Sequence, residues 1–342
     1  MTDNQSDKHS KVAGRVNLRD NILKYFSFST IVILLIGFSF SHPNFLAPAN
    51  LRVLLNDSAP LLIMAAGMTS VLLLGSIDLS MGAVLSVTNV LSVLIINELG
   101  PDLGSTGLTV ALVLIVCLAF GAFAGFLLGT VHVKLKVPSF IASLAFMSMW
   151  NSVALLITPA PVSVLRNEWA AIDWYRITFG ITNNIIGVPL AMGMVWVIIV
   201  YIFQRKLGLG RAIYAIGGNE RASRLAGLSI DRTKITVFVF NGMCAALAGF
   251  MLAANLRSSA PTMGDPFTLL IVASVALGGT SLIGGRGGVL GTILGVFTVS
   301  IIQNGMNFVG IDAYWQQVVF GIFILAAVAV SIDRSTRGLV VK

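Results

Sequence analysis

The chain has 342 residues, 56% of them hydrophobic and only 11% charged, with a mean hydropathy of +0.91. A soluble domain carries about 25% charged residues, so a soluble enzyme, a disordered chain and a nucleic-acid-binding module are all excluded. The composition is that of a polytopic membrane protein, and the formal net charge of +8 has to be read by position relative to a bilayer.

A bilayer core about 30 Å thick requires about 20 mostly apolar helical residues per span. Residues 1–24 are polar and mixed in charge and read as a cytoplasmic tail. The apolar run from Tyr25 to Phe40 is followed by no small-residue cleavage site, so it reads as an uncleaved first span and not a secretory signal. Ten candidate spans follow from the apolar runs, at 25–41, 53–75, 81–98, 107–130 and 139–158, then 187–204, 235–255, 268–283, 288–309 and 315–332. The eighth is short and ends near Gly278-Gly279; one reading is a broken or re-entrant helix, tolerated only where protein or water covers the freed backbone. Residues 25–332 are thus one transmembrane domain, and 333–342 form a second tail.

Charge placement tests the count. With the amino terminus inside, 18 of the 22 Lys and Arg residues fall on inner segments, and only Arg52, Arg166, Arg176 and Arg257 fall outside. That partition is what the positive-inside rule requires of ten spans with both termini cytoplasmic. The outer loop 159–186 carries Trp169, Trp174 and Tyr175, which read as anchors at the membrane–water interface.

Between spans two and three lies Gly75-Ser-Ile-Asp-Leu-Ser-Met-Gly82. A carboxylate at membrane depth is costly and counts as functional by default. At the cytoplasmic edge, however, Asp78 or Ser80 would cap the first amides of span three, and capping with hairpin geometry around Gly82 is the preferred reading. The inner loop 205–234 contains Gly217-Gly-Asn-Glu-Arg-Ala-Ser-Arg-Leu-Ala-Gly227. Asn219 suits an N-cap and Gly227 a C′ position, closing a helix of about two turns. Ala222, Leu225 and Ala226 fall on one side of it, with Glu220, Arg221 and Arg224 around it. A helix this short needs a packing partner, so the stretch is either a solvated basic loop or a docking helix for a cytoplasmic subunit.

The glycine-rich Gly278-Gly-Thr-Ser-Leu-Ile-Gly-Gly-Arg-Gly-Gly288 lacks the lysine of a phosphate-binding loop. Gly278, Gly279, Gly284, Gly285 and Arg286 read instead as a tight turn with close helix approach, and any ATPase has to be another chain. No Cys/His spacing suggests a metal, no cofactor is expected, and Cys117 and Cys244 lie in separate apolar runs. Inside the spans stand the amides Asn89, Asn151, Asn241, Gln303, Asn304 and Asn307. Packing across helices is the first explanation of each; as uncharged hydrogen-bonding groups they are also candidates for a translocation path. Gly121-Ala-Phe-Ala-Gly125 in span four resembles Gly291-Thr-Ile-Leu-Gly295 in span nine. An offset of five spans inverts the second copy, so an inverted repeat of spans 2–5 and 7–10 is one organisation this pattern allows.

Four segments in this order and spacing carry a resemblance: Gly75 to Gly82, Lys134-Leu-Lys-Val-Pro-Ser-Phe-Ile141, Gly210-Arg-Ala-Ile-Tyr-Ala-Ile-Gly-Gly-Asn-Glu220, and Leu277 to Gly288. By them the chain resembles, from about Asn50 to Gly338, the membrane permease subunit of bacterial ABC importers for ribose, xylose and related monosaccharides. Ser76 departs from the glycine usual there. The resemblance implies a ten-span permease in the cytoplasmic (inner) membrane, paired with a second copy or a paralogue. It also implies a cytoplasmic ATP-binding subunit, an extracytoplasmic sugar-binding protein, and a coupling helix around Glu220 to Gly227. That helix matches the family pattern loosely, since Arg221 follows Glu220. Alternatives are a permease of the same architecture for nucleosides or branched-chain amino acids, and an ion-coupled transporter, for which only Asp78 comes near a relay. A membrane enzyme is disfavoured by the scattered histidines.

Overall fold

The computed structural model describes residues 28–178 and 185–331; both expected tails lie outside the described residues. The chain folds into helices α1 (Phe28–Ser41), α2 (Pro48–Leu73), α3 (Met81–Leu103), α4 (Thr106–Lys134), α5 (Ser139–Ile157) and α6 (Val188–Lys206). It continues through α7 (Gly208–Gly218), α8 (Glu220–Leu225), α9 (Ile230–Leu256), α10 (Asp265–Leu277), α11 (Val289–Val309) and α12 (Ala313–Ser331). Prolines mark the entrances of α2, α6 and α10, where the missing N–H is no loss. Among the described residues, seven helices (α2–α6, α9 and α11) are long and apolar enough to cross a bilayer. A helix also lies at each of the other three expected stretches, and α10 has only 13 residues.

Helices α2, α3 and α9 form the centre, buried along most of their length. The neighbours repeat in a pattern. α3 packs on α4 and α5 as α10 packs on α11 and α12; α9 packs on α3 and α4 as α2 packs on α10 and α11; and α2 and α9 pack on each other. The two GxxxG segments do not take part in equivalent ways. Gly121 and Gly125 let α4 meet the backbone of α9 at Gly242 and Phe238, whereas Gly291 and Gly295 let α11 meet α10 at Gly278 and Ser274.

Two extended segments enter this bundle from opposite ends. Residues 257–264 run down α3: β2 (Ser258–Ser259) pairs with β1 (Val162–Ser163), and Asn97 fixes the outer level by bonding the Ser163 carbonyl and the Leu165 amide. Farther down, Asn89 Oδ1 accepts from the Ala260 amide at 3.1 Å and Ser86 Oγ from the Gly264 amide at 2.8 Å. From Asn97 to Ser86 is about 16 Å of helix at 1.5 Å per residue, so α10 begins deep in the molecule. That descent explains why α10 is short. From the other end, residues 74–80 climb from beside Ile283 and Gly284 to Asn241 of α9. The segments meet where α3 and α10 begin, with Gly82 and Gly264 backbone to backbone.

Trp169, Trp174 and Tyr175, the expected anchors, pack on the bundle. Tyr175 is buried, its hydroxyl donating to the Asn56 carbonyl at 3.3 Å, and Trp174 stacks on Phe250 with centroids 5.3 Å apart. Trp169 lies under the Arg257 guanidinium at 3.8 Å. They are carried on two 3₁₀ turns, Arg166–Ala171 and Asp173–Arg176, that lay them on the bundle.

Candidate functional site

The most built feature of the inner loop is α8. Asn219 Oδ1 accepts from the Ala222 amide at 2.9 Å, the expected N-cap. At the other end Gly227, with φ of 81°, donates to the Arg224 carbonyl and Leu228 to the Ser223 carbonyl, both at 3.1 Å. These two bonds make a Schellman closure, which needs the left-handed conformation that glycine adopts without cost. Glu220 reaches back to α9, accepting from Lys234 Nζ at 2.8 Å and pairing with Arg224 at 3.4 Å. The hydrogen bond from Lys234 holds the Glu220 carboxyl below its ordinary range. Ser223 is the residue α8 buries, while Ala222, Leu225 and Ala226 are exposed, Leu225 to 85%. Among the described residues nothing covers the apolar side of this helix.

The sequence did not disclose α7, which leads straight into α8 and ends in Gly217-Gly218. A side chain at Gly217 would overlap the Leu73 carbonyl, and Gly285 lies against Gly218 while its amide donates to the Leu73 carbonyl at 2.9 Å. Gly75 in turn touches the Ile283 carbonyl and Gly284. The expected turn glycines therefore join three segments backbone to backbone: the root of α8, the segment leading into α3, and the loop leading into α11. Gly279, Gly284 and Gly285 have φ of 80°, 101° and 70°, and Arg286 is exposed on this loop. At these contacts no side chain lies between the root of α8 and either loop.

Asp78 is not at an edge. It is 2% exposed and accepts from the Ser80 amide at 2.8 Å, the Ser80 hydroxyl at 2.6 Å and Asn241 Nδ2 at 2.8 Å. Asn241 lies about 17 Å along α9 from its first residue. The expected cap on the first amides of α3 is replaced by this internal turn and a bond to α9.

The amides separate into two groups. Asn89 bonds the Gly249 carbonyl and the Ala260 amide, Asn304 exchanges two bonds with Asn50 of α2, and Asn307 accepts from Gln316 of α12 at 2.7 Å. Asn304 and Asn307 thus turn to different neighbours, not to one lined face, and Gln303 is half-buried beside them. Asn151 differs: its Nδ2 donates to Asp265 Oδ1 at 3.3 Å, and Asp265 is exposed. Sequence reasoning missed Asp265, although an acidic residue directly before Pro266 signals a helix start. It also missed Gln204 of α6, which donates to Ser70 of α2 at 3.2 Å and accepts from the Val289 amide at the start of α11 at 3.1 Å.

A helical bundle of this apolarity, with a capped helix displayed on one end loop and wired to the loops beneath it, defines a multi-pass membrane permease. The chain belongs to the family described as branched-chain amino acid transport system / permease component, whose model matches residues 50–328. It is 36% identical over 323 residues to the ribose import permease protein of Bacillus subtilis, covering 94% of this chain and 95% of that one. It is 35% identical over 310 residues to a probable ABC transporter permease protein of Escherichia coli K12, covering 90% and 89%. To the fructose import permease protein of Bifidobacterium longum it is 35% identical over 280 residues, covering 80% and 79%. No solved structure matches the chain. With these relatives, the chain is a multi-pass protein of the bacterial inner membrane.

Proposed function

We propose that this chain is the membrane subunit of an ABC importer that passes a monosaccharide of the ribose kind into the cell. In this reading the chain has ten spans with both termini cytoplasmic, and spans 2–5 and 7–10 form an inverted repeat. The paired pattern of helix neighbours supports the repeat, and the inner excess of Lys and Arg supports the orientation. ATP is hydrolysed on a separate cytoplasmic subunit, an extracytoplasmic binding protein delivers the sugar, and a second permease copy or paralogue completes the path.

The observation that carries the reading is α8. It is capped at both ends, fastened to α9 through Glu220, and exposes Leu225. Its root lies against the backbone of the loops that lead into α3 and α11. A cytoplasmic subunit gripping Leu225 would move both loops at once. The sugar rests on the ribose and fructose permeases among the relatives. The family's description favours a second reading, a branched-chain amino acid.

The test is uptake into proteoliposomes containing the chain, its ATP-binding subunit and ATP, with the binding protein outside. Labelled ribose is expected to enter only with ATP, and unlabelled leucine is expected not to compete. Leu225→Asp is expected to abolish uptake at equal membrane abundance. Full uptake by that variant, or uptake that an ionophore abolishes and ATP does not drive, overturns the reading.

A further inference from the structure

The exposed faces of the bundle are not alike. α4 and α6 present apolar side chains, among them Ile115, Phe123 and Phe126 on the first and Val195, Ile198 and Ile202 on the second, as lipid requires. α5 does not. Ser148, Asn151 and Ser152, at i, i+3 and i+4, share one side of it, with both serines exposed and Asn151 half-buried. Asn151 donates to the exposed Asp265 at the start of α10.

Two independent distances put this patch at membrane depth. α5 begins at Ser139, next to Lys134 and Lys136, which mark the aqueous boundary. Ser148 to Ser152 then lie roughly 13 to 20 Å along the helix at 1.5 Å per residue, near the middle of a core about 30 Å thick. The second measure is the descent of residues 257–264 along α3, which delivers Gly264 to the level of Ser86 and Gly82. A carboxylate exposed at that depth cannot face hydrocarbon; it faces water or a polar partner. Asn151 Oδ1 has no hydrogen-bond partner among the described residues.

We propose that Asp265 and Asn151 are substrate-contacting residues, a polar station in the translocation path at the joint of α5 and α10. The inference rests on the reading of the chain as a sugar permease. A carboxylate offers two acceptor oxygens at a spacing that suits adjacent hydroxyls of a sugar, and the bonds are charge-assisted. The Asn151 amide, which holds that carboxylate through one N–H, has a second N–H to donate. A single station of this kind holds a polyol in transit and still releases it, as a path requires.

The test uses the complete transporter in proteoliposomes. Cys117 and Cys244 are both buried, so Asp265→Cys introduces the one thiol open to a water-soluble methanethiosulfonate. That variant is expected to react, and to react more slowly with saturating ribose and binding protein present. Asp265→Ala is expected to lower ribose uptake about tenfold or more, the scale of losing hydrogen bonds to a charged acceptor. The ratio of ribose to 2-deoxyribose uptake is expected to fall with it, a change that a purely structural residue would not produce. Asp265→Asn is expected to restore part of that ratio. An unreactive Asp265→Cys, showing the position sealed in lipid or between subunits, overturns the proposal, as does an unchanged sugar ratio in Asp265→Ala. Failure of the underlying reading is a different result: unaltered protein that takes up no sugar with ATP.

Discussion

Glu220 shows how one side chain sets the attachment of a whole element. α8 is a helix of six residues, too short to persist on its own, and beyond its caps it is held by the bonds from Lys234 and Arg224. Because the Lys234 bond lowers the Glu220 pKa, the attachment is fully present above the ordinary glutamate range, about 4.3. It is lost as pH falls through the lowered folded value. A spin label at Leu225→Cys is therefore expected to stay immobile from neutral pH down through the ordinary range and to loosen only below it. In Lys234→Met, where Glu220 loses its first partner, the label is expected to be mobile already at neutral pH. Equal mobility in the two proteins at pH 7 would show that Glu220 does not anchor α8. The pair is partly exposed, so high salt should mimic the substitution in part.

Among elements, the crossing of the two extended segments is the most constrained. A side chain at Gly264 would overlap the Gly82 carbonyl, and one at Gly82 the Gly264 carbonyl; backbone cannot move aside as a flexible side chain can. Gly264→Val is expected to cost at least about 3 kcal/mol, the upper range for overpacking, read as a lowered melting temperature in detergent. Gly321→Ala on α12, with open space around it, is expected to leave the melting temperature unchanged or slightly raised. A small shift at Gly264 would mean that α3 and α10 do not start against each other. This crossing was the part the sequence concealed. The apolar runs disclosed a helix at every expected stretch, and Asn219 and Gly227 disclosed α8, because hydropathy and capping are local. The depth of residues 257–264 is set by single hydrogen bonds that their amides donate to Asn89 and Ser86 on a distant helix, and nothing local distinguishes those residues from packing amides and hydroxyls. For the same reason Asp78 read as an edge cap and Asp265 was missed. Both are defined by partners, Asn241 and Asn151, more than 100 positions away.

For the whole molecule, charge and contact agree on two ends. At one end lie the Lys134–Asp231 and Lys234–Glu220 pairs and Arg205 beside the Tyr214 ring. At the other, Arg257 pairs with Asp173 at 2.8 Å, and both Arg166 and Arg257 lie over the Trp169 ring. The fold thus keeps these two sets of basic residues at separate ends; the positive-inside rule would put the first in the cytoplasm. Arg257 is both paired with an acid and stacked on an aromatic face, and Arg166 shares that face. Arg166→Cys and Arg221→Cys place one thiol at each end while Cys117 and Cys244 remain buried. In intact cells stripped of their outer wall, an impermeant maleimide is expected to label Arg166→Cys at once and Arg221→Cys only after permeabilisation. The reverse order would invert the molecule and place α8 outside, where no ATP-binding subunit could reach it. Labelling of both before permeabilisation would mean an odd number of crossings between residues 166 and 221 does not hold, and the span count would fail there.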